Sequence, residues 1–131
     1  MRLWVIIGAI NGFLAVALGA FGAHLLEGNI SDHYISVWET GVQYQMLHAG
    51  GLLAIGVLLH ILPVKQLQVA GWLMLGGIVV FSGSLYTLAL SGIGMFGAIT
   101  PIGGFLFLGA WVMVILAMMN KKTDARASKL N

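Results

Sequence analysis

The chain predicts an all-α membrane protein: four transmembrane helices, with an interfacial amphipathic helix between the first and the second. Three observations predict it. Of 131 residues, 60% are hydrophobic and 8% charged, against about 25% charged in a globular domain, so a soluble fold of this size could not bury its apolar surface. Three charge-free runs, residues 3–23, 69–90 and 97–119, and a fourth, 41–62, that is polar at one end, each have membrane length; about 20 helical residues cross a hydrocarbon core near 30 Å. Finally, taking the spans in order, all six Lys and Arg residues fall on one side: Arg2, Lys65, Lys121, Lys122, Arg126 and Lys129. Positive residues stay cytoplasmic on insertion, so both termini of this multi-pass chain are expected in the cytoplasm.

The first span, 3–23, follows Arg2 and ends in small residues, as a secretory signal does. Its apolar part is longer than a signal core and its small residues begin at Gly8, so it reads as a retained span. Gly8, Gly12, Ala15, Gly19 and Gly22 recur three or four apart along one face. In lipid such a face lets helix backbones approach, within one chain or between copies of it.

Residues 31–40 read as the interfacial helix, with Ile30, Tyr34, Val37 and Trp38 at helical spacing and Ser31 or Asn29 as its cap. Tyr34 and Trp38 suit the headgroup layer. A bend near Gly41 is expected, because a straight helix from residue 32 to 62 would be about 46 Å long. Pro63 ends the second span, 41–62. The third, 69–90, carries Gly76, Gly83 and Ser84. A glycine-rich, nearly apolar connection leads to Thr100 and Pro101, a good helix start: the Thr oxygen can cap free N–H groups, and Pro at the first helical position gives up no needed donor. The fourth span is therefore placed at 100–119. Residues 1–119 form one four-helix transmembrane domain, and 120–131 a polar cytoplasmic tail.

The second span holds Gln43, Tyr44, Gln45 and His48 within its first eight residues. Measured from the outer face, His48 and Ser84 reach nearly the same depth, with Tyr86 close by. The expectation is an inward-facing polar cluster of Gln45, His48, Ser84, Tyr86 and Thr100, because lipid would not tolerate these groups. Tyr44, Asn11, His24 and Glu39 are secondary candidates. Two readings stay open: interhelical hydrogen bonds that only pack the bundle, or a site where His48 relays protons or holds a small polar ligand. Asn11 either bonds across a helix crossing or lines a path.

Several classes are disfavoured. Zero cysteines remove disulfides, thiolate metal sites and Cys nucleophiles. His24, Glu27 and His33 lie near one another in sequence, but a metal site needs three or four converging ligands, and no metal or cofactor is expected. The basic residues form no stripe with interleaved aromatics, so nucleic acid is not an expected partner. No carboxylate lies deep in a span and no Ser-His-Asp spacing occurs, so no enzyme is expected.

Four ordered motifs, GAFGAH at 19–24, QYQMLHA at 43–49, FSGSLY at 81–86 and TPIGG at 100–104, resemble the domain-of-unknown-function family 423. That family takes in YwdK-like and YgdD-like bacterial inner-membrane proteins, and eukaryotic transmembrane protein 256-like proteins are similar to it. The resemblance implies a small integral membrane protein without an established reaction or substrate. By motif match it points to His24, Tyr44, Gln45, His48, Ser82, Ser84, Tyr86, Thr100 and Pro101. The leading functional expectation is a structural or partner-binding role in the bilayer, with a homo-oligomer allowed. The alternative is a small oligomeric channel or transporter for protons or a small polar solute.

Overall fold

A computed structural model describes residues 1–120 with their side chains and carries the final helix on to Leu130. Helix α1 (Arg2–Phe21) continues through a π-helical turn, Gly22–Leu26, in which the Glu27 N–H reaches back five residues to the Gly22 carbonyl. Gly28, at φ +85°, reverses the chain; the left-handed conformation there is one a side chain would resist. Ser31 then caps α2 (Asp32–Ile61), its hydroxyl oxygen accepting from the Tyr34 N–H. Leu62 ends α2 because Pro63 bars its predecessor from the helical region. Helix α3 (Lys65–Gly77) passes through a second π segment, Ile78–Ser82, into α4 (Gly83–Ser91), which Gly92 stops in the left-handed conformation. Helix α5 (Met95–Leu130) completes the chain. Among the described residues there is no strand.

Four helical stretches are long and apolar enough to span a bilayer: Arg2–Leu26, Asp32–Ile61, Lys65–Ser91 and Met95–Asn120. Each packs on the next in chain order, and α2, the most buried, lies between α1 and the α3–α4 rod. Close approach rests on glycine. A Cβ on Gly8 would stand 2.9 Å from the Leu53 backbone nitrogen, and one on Gly103 would stand 2.4 Å from the Phe81 nitrogen. The main core gathers Trp4, Leu52, Ile55, Leu67, Met74 and Phe107, toward the half of the bundle that holds the α2–α3 turn. Trp4 lies over Gly71 and donates its indole N–H to Gln68 Oε1 at 2.8 Å. Large side chains such as Phe13 and Phe105, each 74% exposed, cover the outside. On a soluble protein this would be an aggregation surface; in a membrane it is the lipid face.

Three sequence expectations change. Residues 31–40 are not a separate helix: they are the first turns of α2, which runs 30 residues with no interruption at Gly41. Trp38 does not face headgroups. It is 3% exposed, lies over Gly22 and donates its indole N–H to the Leu18 carbonyl at 2.9 Å. Finally, the last helix starts at Met95, so Thr100 is no cap and Pro101 lies inside α5. The Thr100 hydroxyl donates to the Phe96 carbonyl one turn back. The polar tail expected over 120–131 lies, beyond Asn120, outside the described side chains.

Candidate functional site

The predicted polar residues are brought inside the bundle, in three sets that no hydrogen bond joins among the described residues. The first crosses three helices. Tyr86 on α4 passes its ring over Gly41, where a Cβ would stand 2.7 Å away, and donates its hydroxyl to Gln45 Oε1 at 2.7 Å. Gln45 Nε2 donates to Asn11 Oδ1 at 3.1 Å, and Asn11 Nδ2 donates to the Ile7 carbonyl at 2.9 Å. The direction of this chain is forced, because the Ile7 carbonyl can only accept, which orients the Asn11 amide and through it the Gln45 amide. Asn11 thus serves the helix crossing.

His48 forms the second set and faces α5. It is 2% exposed, with its ring face to face with Phe107 (centroids 3.6 Å apart, planes 9° from parallel). The Trp111 indole, which can only donate, gives its N–H to His48 Nε2 at 3.1 Å, and His48 Nδ1 lies 2.7 Å from the Tyr44 carbonyl. Those partners fix the tautomer: Nδ1 carries the proton and Nε2 accepts, so the neutral ring has both nitrogens satisfied. A second proton would set N–H against N–H. Tyr44, four residues earlier on the same face, lies against Phe81 at 4.4 Å.

In the third set Ser84 and Thr100 join α4 to α5, their hydroxyl oxygens 2.6 Å apart. Ser84 does not meet His48: Ser82 bonds the Gly41 carbonyl while Gly77 lies against Phe107, the ring on which His48 stacks, so Ser84 lies about two helical turns nearer the Gly92 end. Ser82 also contributes, its hydroxyl donating to the Gly41 carbonyl at 2.8 Å. His24 and Glu39 remain on the exposed surface. Among the described residues no three His, Asp or Glu side chains converge as a metal site.

Trp111 and Phe107 were absent from the sequence-derived site. Their signal is an i, i+4 aromatic pair on α5 matched to the i, i+4 pair Tyr44 and His48 on α2. Above them a groove of about 420 Å³ opens between α2 and α5, walled mainly by Tyr44, Leu47, Phe81, Pro101, Phe105 and Trp111. Its lining is mostly apolar, and His48 is part of it.

Comparison with known proteins gives a consistent result. The family model described as "Protein of unknown function (DUF423)" matches residues 18–104. The UPF0382 membrane protein YwdK of Bacillus subtilis (strain 168) is 53% identical over 118 residues, covering 89% of this chain and 96% of that protein. The UPF0382 membrane protein SAB0533 of Staphylococcus aureus (strain bovine RF122 / ET3-1) is 53% identical over 89% of this chain and 95% of its own length. The UPF0382 membrane protein SH2409 of Staphylococcus haemolyticus (strain JCSC1435) is 52% identical over the same shares. No solved structure matches.

Proposed function

This chain belongs to the DUF423 family, and from that premise and the geometry above we propose that it is a structural or partner-binding protein of the bacterial inner membrane. One observation carries the reading: among the described residues no buried side-chain nitrogen or oxygen lacks a hydrogen-bond partner. The polar residues that would line a path are used up in holding helices together. Gln45 and Asn11 are amides, poor proton carriers, and their chain ends on a backbone carbonyl. The three sets are separate, and no catalytic step is part of this reading.

The orientation belongs to the same proposal. All Lys and Arg residues fall at the end shared by the start of α1, the α2–α3 turn and the C-terminal tail, whereas Glu27, Asp32 and Glu39 fall at the other. Both termini then face the cytoplasm. A second copy or a different membrane protein can approach along α1 at Gly12, where a Cβ would meet nothing within 4 Å.

The test is a flux and stability comparison on the purified protein. In liposomes under a pH gradient, wild-type protein is expected to pass no protons and no small solutes. His48→Gln is expected to lower unfolding stability by about 1 kcal/mol, since one interhelical bond contributes ~0.6 and at most ~1.7 kcal/mol. A pH-dependent flux that His48→Ala weakens would reject this reading in favour of the small oligomeric channel.

A further inference from the structure

A second groove, of about 520 Å³, lies between α1 and α2 at the end that carries the basic residues, lined by Arg2, Val5, Ile6, Gly56, Val57 and His60. We infer that it is a binding site for an anionic phospholipid, with the phosphate on Arg2 and an acyl chain along Val5, Ile6 and Val57. The first support is the depth of Arg2. A Cβ on Gly56 would stand 2.5 Å from Val5 Cγ2 and 3.2 Å from the Met1 carbonyl, so the start of α1 lies level with Gly56. Helix α2 runs five residues further, to Ile61, which adds about 7.5 Å. Arg2 is therefore recessed below the end of its neighbour.

The second support is charge. Of the carboxylates with described side chains, Glu27, Asp32 and Glu39, none is on this end of the bundle. A guanidinium at that depth calls for an anion, and its planar fork matches a phosphate through paired N–H···O bonds. Lys65 stands close by, lining a smaller recess that shares Met1 with this groove. The third support is the apolar remainder: Ile6 and Val57 are 57% and 58% exposed, giving an acyl chain a continuous path away from the charge. Basic pockets between helices on the cytoplasmic side are where anionic headgroups bind. Assigning the lipid to the inner leaflet rests on the orientation proposed above; the lipid chemistry does not.

Native mass spectrometry of the detergent-solubilised full chain with phosphatidylglycerol and phosphatidylcholine tests the assignment. Wild-type protein is expected to retain phosphatidylglycerol at least about fivefold better, the factor that one basic residue near an anionic surface contributes. Arg2→Gln should remove the preference. Val57→Trp, at an exposed position outside the core, should lower retention by filling the groove. A control replaces Lys121 and Lys122 by Gln and should keep the preference. Equal retention of the two lipids by wild-type protein overturns the proposal. So does a preference that survives Arg2→Gln but disappears in the tail variant, because the charge read would then be diffuse.

Discussion

Gln45 is bonded on both sides, accepting from Tyr86 and donating to Asn11, and that makes its removal different from the removal of either partner. Tyr86→Phe leaves one amide oxygen unpaired and is expected to cost about 0.6–1.7 kcal/mol. Gln45→Leu leaves the Tyr86 hydroxyl and the Asn11 carbonyl oxygen unpaired together, so its cost should be larger, about 1–3 kcal/mol. The double variant should cost less than the sum, with a coupling on the order of 1 kcal/mol. Reversible unfolding in mixed micelles measures all three; strict additivity would mean that the bond is not formed. At this scale the sequence was informative about which residues are polar and buried, because a Gln or His within an apolar run has few other places to go. It was uninformative about pairing. Counting residues inward from each span's outer end put His48 and Ser84 at nearly one level. But α2 starts at Asp32 and Ser82 bonds the Gly41 carbonyl, so the two lie about 10 Å apart along the bundle. Register, like pairing, depends on how the helices pack.

Glycine decides the contacts between elements, and not every glycine counts. Gly103 presses α5 onto the backbone of the π segment, where a Cβ would stand 2.4 Å from the Phe81 nitrogen. Backbone cannot step aside as a flexible side chain can, so Gly103→Ala should cost about 1–3 kcal/mol or more. Gly12→Ala, with nothing within 4 Å, should be neutral or stabilising by up to about 1 kcal/mol through helix preference alone. Thermal unfolding of the two variants side by side checks the contrast, and equal losses would show that small residues act here by propensity and not by fit. The small face of α1 was visible in the sequence; that Gly12 stands apart from it was not, because spacing gives the face and only a neighbour gives the contact. The helix start misplaced at Thr100 has a similar cause. Thr-Pro is a strong start signal in water, but within a bilayer every backbone group needs a partner inside the protein. Helix therefore extends back to Met95 through the apolar connection, and Pro101 is accommodated within α5. The two π segments left no sequence signal at all.

For the whole molecule, the four spans and their alternation were legible because hydropathy and charge act on insertion one segment at a time and need no tertiary partner. The order of packing is a property of the assembled bundle, which is why α2 as the central helix could not be foreseen. Orientation is the property of the assembled molecule that charge determines most directly, and the chain is suited to testing it because it contains no cysteine. Glu27 is exposed on the connection between α1 and α2, and Ser128 belongs to the C-terminal stretch. On the orientation proposed above, these two positions fall on opposite sides of the membrane. In intact spheroplasts a membrane-impermeant maleimide should therefore label Glu27→Cys, and should label Ser128→Cys only after permeabilisation. The reverse pattern would invert the topology and move the proposed lipid site to the outer leaflet. Labelling of both in intact cells would mean that one of the four helical stretches does not cross, and the bundle would then have to be redrawn around three spans.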